Sequence, residues 1–199
     1  MFLGVAVTVL CIGAAVVTPV RVNGYRATDR SWNAPVYGSG TLLTDNEWYL
    51  YRLLMDYRYK NGLPSIPISP KLSYVAKLHA RDLEAYPPSA PCTLHSWSRH
   101  GPWSSCCYTE YSSSEGMWIK PAELTTYRGK GFEIVAWTGD LMKPDVAFSL
   151  WLDSSEHRSV IINTENWEGY RWRAIGIAIS NNYAVVWFGE EPDFTRRYR

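Results

Sequence analysis

The first regular pattern of apolar and polar residues predicts a helix that starts after Thr44. Thr44 and Glu47 have the spacing of a capping box, in which each side chain bonds the other residue's backbone N–H. The pair Asn61-Gly62 ends this helix, and Pro64 prevents its resumption. Between these two ends, apolar residues recur at the spacing of one helix face, at Leu50, Leu53, Leu54 and Tyr57. The sequence therefore predicts an amphipathic helix that packs on a core.

A second amphipathic helix is predicted after Ser69, which is a favoured N-cap residue and precedes Pro70 at the first helical position. The helix stops at Tyr86, before two prolines. Its apolar face carries Leu72, Val75, Ala76, His79 and Leu83. Because His79 lies on this face, we interpret it as a hydrogen-bonded core histidine in preference to a ligand.

The C-terminal half predicts a third helix and a β-hairpin. The helix is expected from Pro144 to about Arg158. Apolar residues alternate from Trp172 to Ser180, and a second apolar run follows from Tyr183 to Phe188. The intervening Asn181-Asn182 tolerates the positive φ of a type I′ turn. Residues 87–130, between the helical and hairpin regions, are irregular and rich in Ser, Pro, Gly, Trp and Tyr, so function is expected there. The predicted fold class is α+β.

Composition and the N-terminus point to one extracellular domain. Hydrophobic residues make up 46% of the 199, charged residues make up 20%, and the net charge is only +1, so a nucleic-acid partner is not expected. Residues 1–24 are predicted to be a signal peptide or an N-terminal anchor, and the Gly and Ala content favours the cleaved form. Residues 25–41 form an arm, 42–190 the domain and 191–199 a basic tail. We expect a secreted monomer, in contact with a membrane only if the leader is retained.

The number and spacing of the cysteines are consistent with a disulfide, and hence with an oxidising compartment. Cys11 lies in the leader, which leaves three in the mature chain and allows one bridge. Cys92 is expected to pair with Cys106 or with Cys107, closing a loop of about 15 residues worth about 3 kcal/mol. A bridge between the adjacent Cys106 and Cys107 would be strained and is ranked third.

Three residues are candidates for chemistry. His95 lies beside the expected bridge, His157 follows Glu156 in the third helix, and Glu133 lies in the apolar run from 131 to 136. A buried carboxylate needs a cation, a histidine or several N–H donors, so Glu133 must have such a partner. Each residue also has a structural explanation. His95 could be a loop residue without a further role, and Glu133 could pair with an arginine. His157 could lie at a helix C-terminus, where a positive charge is stabilising.

Several stretches, in order, resemble the CAP superfamily of cysteine-rich secretory, antigen 5 and pathogenesis-related proteins. The first ends in Gly-Leu-Pro, with Met55 where the family has Asn, and another resembles the Gly-Glu-Asn-Ile-Ala strand with Phe132 inserted. The resemblance extends over residues 42–190 and is strongest at Leu54–Pro64, Leu72–Asp82, Leu94–Ser96, Gly131–Ala136, Trp151–Arg158 and Ile175–Ala178.

The resemblance implies a three-layer α-β-α sandwich with a terminal antiparallel hairpin and a central His/Glu cleft. His95 matches the first cleft histidine and Glu133 the first glutamate. Ser154 stands where the eukaryotic members have the second glutamate, and the second histidine has no counterpart. His157 replaces it, as in the bacterial branch. His95 and His157 are thereby implied as ligands of Zn²⁺ or another divalent cation, with Glu133 as third ligand or water-holder.

Two functions are expected. The first is a binding module for a small apolar ligand, a lipid or sterol, as the resemblance implies, or for a glycan, which the aromatic side chains indicate because they stack on sugar faces. Its cleft rim is expected at Ser96, Trp97, Trp103 and Ser154, with Tyr108 and Trp118 nearby. The alternative is an extracellular hydrolase with His95, Glu133 and His157 as catalytic residues. Neither an H-E-x-x-H helix nor a G-x-S-x-G elbow is present, so the binding module is preferred.

Overall fold

The computed structural model describes residues 43–109, 111 and 114–193. The predicted leader, the predicted arm and residues 194–199 of the predicted tail lie outside this part of the chain. The described chain continues past the expected domain end. Asp193 accepts hydrogen bonds from the Ser69 hydroxyl (2.7 Å) and the Lys71 ammonium (2.6 Å). None of the helices described is long and apolar enough to cross a membrane.

The two N-terminal helices form as predicted. Helix α1 comprises Asp45–Lys60 and helix α2 comprises Pro70–Ala85. The capping box is present, with the Thr44 N–H donating to Glu47 Oε2 (2.7 Å) and the Glu47 N–H donating to Thr44 Oγ1 (3.3 Å). The Ser69 hydroxyl accepts from the Leu72 N–H at the start of α2. Both helices therefore begin where local capping chemistry placed them.

The irregular middle contains two short helices, α3 (Glu115–Trp118) and α4 (Lys120–Leu124). Lys120 is buried, and its ammonium is bonded to the Ser104 carbonyl and to the Glu123 carboxylate. These contacts attach the segment before α3 to α4. The other described residues between 87 and 130 have the irregular backbone that the sequence predicted.

The prediction of one continuous third helix is wrong, because two helices occupy this region. Helix α5 comprises Pro144–Asp153 and helix α6 comprises Ser155–Ile162. The break is at Ser154, whose backbone is extended (φ −95°, ψ 121°) and whose hydroxyl accepts from the His157 N–H. His157 thus lies in the first turn of a new helix and not near a helix C-terminus.

Arg58 connects α1 to the end of α6. Its buried guanidinium donates to the Ile161 carbonyl (2.6 Å), the Asn163 side chain (2.7 Å) and the Pro64 carbonyl (3.1 Å). Burial lowers the pKa of Arg58 to about 10, so it stays charged at neutral pH. These contacts position the helix that carries His157.

A three-stranded antiparallel sheet forms the centre of the fold. Its strands are β1 (Gly131–Trp137), β2 (Ala174–Ser180) and β3 (Tyr183–Gly189), in the spatial order β1-β3-β2. β2 and β3 form the predicted hairpin. Of the two turn residues only Asn181 has a positive φ, at 43°, so the turn is not the predicted type I′ turn.

Each face of the sheet covers a separate apolar core. Phe132 and Ile134 point toward the core shared with α1, α5 and α6, whereas Glu133 and Val135 point toward α2. This alternation is the period-two pattern of a β-strand. Helices on both faces confirm the α+β, three-layer sandwich. They also place Glu133 on the α2 side.

Candidate functional site

The Glu133 carboxylate is the centre of the candidate site. It lies in β1, is buried, and bonds a different histidine with each oxygen. The distance from Oε1 to His79 Nδ1 is 2.5 Å, and that from Oε2 to His95 Nδ1 is 2.9 Å. The expectation that Glu133 needs a partner is confirmed. One of its two partners, His79, was not among the predicted site residues.

His79 has an acceptor at each ring nitrogen. Opposite its bond to Glu133, Nε2 donates to the Ser96 carbonyl at 3.0 Å. The ring is completely buried and stacks on the Trp97 indole, with 4.2 Å between centroids and 6° between planes. His79 is therefore the hydrogen-bonded core histidine predicted from the helix pattern. It is also part of the site.

The pKa values of His79 and Glu133 favour an ion pair. Burial lowers the pKa of His79, but the charge and hydrogen bond of Glu133 reverse this and raise it above 6.5. Burial likewise raises the pKa of Glu133, and His79 and His95 reverse this, so that it lies below 4.5. Both shifts favour the charged forms, an imidazolium and a carboxylate, and the hydrogen-bonding groups of both side chains are paired.

His95 is the exposed member of the site. Its side chain is 21% exposed, and Nδ1 donates to the Glu133 carboxylate. In the neutral ring this leaves the lone pair on Nε2. The edge of the ring meets Tyr108, at 5.4 Å between centroids. Glu133 therefore orients a histidine that can accept a hydrogen bond or a metal ion.

The charge of His95 acts on His157. Burial lowers the pKa of His157, and the charge of a protonated His95 lowers it further. Its backbone N–H is bonded to Ser154, but in the described part of the chain its ring nitrogens make neither a hydrogen bond nor an ion pair. The lowered pKa of His157 thus favours the neutral imidazole, which keeps a nitrogen lone pair.

Asp82 and a disulfide hold the loop that carries His95. The buried Asp82 carboxylate accepts from the Ser98 N–H (2.8 Å) and the Ser98 hydroxyl (2.5 Å). Burial raises the pKa of Asp82 above its ordinary value, in spite of these bonds. The disulfide joins Cys92 to Cys107, and Cys106 is a free thiol. Of the pairings predicted, the structure therefore has the one between Cys92 and Cys107.

The predicted rim must be corrected at Ser96, Trp97 and Trp103. Their exposed fractions are only 6%, 2% and 8%, and both indoles belong to the core beneath α2. Stacking on His79 and burial of apolar area keep Trp97 inside. Of the other predicted rim residues, Tyr108 is half-buried against His95, and Ser154 is the half-buried cap of α6. Of the aromatic residues predicted at the rim, Tyr108 is the one described in contact with His95.

The nearby serine hydroxyls are used in structural hydrogen bonds. Ser96 Oγ accepts from the Tyr108 N–H (2.9 Å) and donates to the Tyr108 carbonyl (3.4 Å). Ser154 Oγ accepts from the His157 N–H and donates to Glu156. Neither hydroxyl is bonded to an imidazole, as the nucleophile of a serine hydrolase would be.

The donors at the site do not make a complete zinc centre. His95 Nε2 and His157 would supply two nitrogen ligands, whereas structural and catalytic zinc sites use three or four protein ligands. Both Glu133 oxygens are already bonded to imidazoles, so this residue orients His95 and is not a ready ligand. Among the residues described, no group of three His, Cys, Asp or Glu could hold a metal ion.

The solved structures of similar fold include two bacterial proteins. One is a cysteine-rich secretory protein from Staphylococcus aureus subsp. aureus Mu50, with a TM-score of 0.50 and 17% identity over 74% of this chain. The other is an extracellular protein containing an SCP domain from Bacillus anthracis str. Ames, with a TM-score of 0.52 and 14% identity over 73% of this chain. The match covers only 38% and 40% of those chains.

No protein-family model matches the chain, and neither does any curated protein sequence. At such low identities the two solved structures establish the fold and leave the activity open. The TM-scores of 0.50 and 0.52 extend over about three quarters of this chain, so the similarity concerns the backbone of the domain. This chain therefore has the CAP fold of cysteine-rich secretory (SCP) domains.

Proposed function

We propose that the protein is an extracellular CAP-type binding module that anchors a small apolar ligand with one polar group, such as a fatty acid or a sterol. The polar group would bond to His95 Nε2 and the neighbouring His157. The half-buried Leu94 and Tyr108 would contact the apolar body. The extracellular location is supported by the similar bacterial proteins, described as secretory and extracellular, and a cleaved leader over residues 1–24 would fit it.

The observation that carries this proposal is the orientation of His95 by the buried Glu133 carboxylate. Each oxygen of Glu133 accepts a hydrogen bond from an imidazole in the core, so this carboxylate holds the two histidines and is itself buried. His95, in contrast, keeps one nitrogen free at a partly exposed position. With the serines at the site bonded to backbone groups, the arrangement suits a fixed hydrogen-bond partner better than a nucleophile and its base.

The same orientation favours a second candidate, a hydrolase in which a divalent cation is held by His95 and His157. A carboxylate that accepts from Nδ1 raises the basicity of Nε2, as in many metal-binding histidines. This candidate requires a further ligand beyond the two histidines. A polarised water would then be its nucleophile.

Titration with a fluorescent fatty acid, cis-parinaric acid, and a fluorescent sterol, dehydroergosterol, tests the proposal. We expect saturation at one equivalent, with and without EDTA. His95→Ala should weaken binding by at least about tenfold, since it removes the hydrogen bond to the polar group. Arg81→Gln, on the exposed surface of α2, is the matched control and should bind like the wild type.

Two results would contradict the binding module. One is the lack of saturable binding of either probe. The other is Zn²⁺-dependent hydrolysis of peptide or ester substrates that EDTA abolishes and that both His95→Ala and His157→Ala lose, which would establish the second candidate.

A further inference from the structure

A cavity lies on the opposite side of the sheet from the His95 site. Its volume is about 240 Å³, and Phe132 forms part of its wall. Phe132 and Glu133 are neighbours in β1, so their side chains point to opposite faces of the sheet. Occupation of this cavity is therefore separable by mutation from occupation of the His95 site.

The wall of this cavity is aromatic. Trp118 and Tyr170 flank Phe132, with ring centroids 5.4 and 5.1 Å from it. Trp118 and Tyr170 are half-buried, so that part of each ring is open to solvent. Trp118 was expected near the His/Glu cleft. It lines this cavity instead.

The remaining lining is charged and balanced. Arg128 and Lys130 supply two cations, and Glu190 and Glu191 supply two carboxylates. No salt bridge joins these groups within the described residues, although all four surround one cavity. The Lys130 ammonium lies 5.1 Å above the Trp118 ring, and a backbone N–H donates to Glu190 (3.3 Å). Both hydrogen-bond donors and acceptors are thus available beside an aromatic surface.

We propose that this cavity binds one ring of a neutral glycan. The C–H face of a sugar ring is apolar and packs on aromatic rings, whose faces are electron-rich. Sugar hydroxyls both donate and accept, so they bond carboxylates and cationic groups at the same time. The balanced charge disfavours a polyanion or a polycation, and the volume lies below the roughly 300–1,000 Å³ of larger ligand pockets. A single sugar ring fits this size.

Titration with two tetrasaccharides tests this site, one of β-1,4-linked glucose and one of β-1,4-linked N-acetylglucosamine. Binding is measured by intrinsic tryptophan fluorescence and by ligand-observed NMR. We expect saturable binding of at least one of them. Arg128→Gln and Glu191→Gln change exposed side chains and should each weaken it about tenfold. Trp118→Leu should abolish the fluorescence response, and circular dichroism checks that it folds.

Glu168→Gln is the matched control for the charge substitutions, because Glu168 is exposed and does not line the cavity. His95→Ala should leave glycan binding unchanged, which separates this site from the proposed apolar-ligand site. Four results would overturn the inference. The first two are no saturable binding at millimolar tetrasaccharide, and binding that survives both Arg128→Gln and Trp118→Leu. The other two are binding lost in His95→Ala alone, and binding of free phosphocholine in place of both sugars.

Discussion

Glu133 and His79 form an ion pair in the core, where charges are costly unless they are paired. Every hydrogen-bonding atom of the pair has a partner, since His79 also donates to Ser96 and Glu133 also accepts from His95. Loss of either charge would leave the other buried and unpaired. This loss typically costs about 3–5 kcal/mol.

The stabilisation by this pair should depend on pH in both directions. The raised pKa of His79 makes its contribution fully present below 6.5 and lost as pH rises through the folded-state value above 6.5. The lowered pKa of Glu133 makes its contribution fully present above 4.5 and lost as pH falls through the folded-state value below 4.5. Urea unfolding of the wild type and of Glu133→Gln should therefore differ most, by about 3–5 kcal/mol, between pH 4.5 and 6.5.

His95→Gln is the control for this experiment, because it changes the exposed partner of Glu133 and keeps the buried pair. Its stability should fall by less than about 1.5 kcal/mol, the typical net value of a hydrogen bond. A difference between the wild type and Glu133→Gln that stayed constant from pH 3 to pH 9 would show that no charged pair contributes.

Among the secondary-structure elements, the close contact of α2 with β2 is the one that positions the site. Gly176 in β2 lies against the backbone of α2. A Cβ there would be 2.0 Å from the Leu72 carbonyl carbon and 2.3 Å from the Ser73 nitrogen. Since α2 carries both His79 and Asp82, the absence of a side chain at Gly176 decides how near these residues come to β1.

Gly176→Ala should consequently destabilise the protein strongly. The added methyl group meets helix backbone, which cannot move away as a side chain would, so a loss of about 3 kcal/mol or more is expected. Thermal unfolding measures it. Gly139→Ala is the matched control, because nothing lies within 4 Å of the Cβ position there. Equal unfolding temperatures for the two variants would contradict the backbone contact.

The break between α5 and α6 also positions a residue of the site. Ser154 leaves the helical conformation, and its hydroxyl caps the helix that follows. His157 is then presented from the first turn of α6, whose position Arg58 fixes through the Ile161 carbonyl. A continuous helix would have directed His157 elsewhere.

The stability of the whole molecule depends in part on the Cys92–Cys107 disulfide, which closes the loop that contains His95. The two cysteines are 15 residues apart. A loop of this length restricts the unfolded chain enough to contribute about 3 kcal/mol. The disulfide thus stabilises the fold and the irregular segment at the same time.

The double variant Cys92→Ser/Cys107→Ser should lose about 3 kcal/mol in its free energy of unfolding. Cys106→Ser is the control. It removes the half-buried free thiol and keeps the bridge, so its stability should stay within about 1 kcal/mol of the wild type. If Cys106→Ser proved as unstable as the double variant, the disulfide would involve Cys106 and the assigned pairing would be wrong.

Helix starts, the hairpin and the sandwich could be predicted from the sequence because their signals are local. Thr44 and Glu47 lie three residues apart, and so do Ser69 and Leu72, so the capping bonds form within one helical turn. The alternating residues of β2 likewise show which side chains face each core. The order of the family-like stretches extended these local signals to the CAP fold.

The composition of the site was only partly predictable. His95 and Glu133 were identified, and the need of Glu133 for a partner followed from the cost of burying a charge. His79 was assigned to the core because it lies on an apolar helix face, and that face also contacts Glu133. The helix pattern carries no information about the strand opposite, so it could not reveal this contact.

Local residue spacing thus determined where α1 and α2 begin and where the hairpin lies, whereas tertiary packing decided which elements share a site. The bonds of Glu133 join residues 54 and 38 positions apart, and they form only when α2 packs on β1. The burial of Trp97 and Trp103 and the choice of Cys107 over Cys106 depend on the same packing. Capping and periodicity act over a few residues, but burial and long-range pairing depend on the whole folded chain.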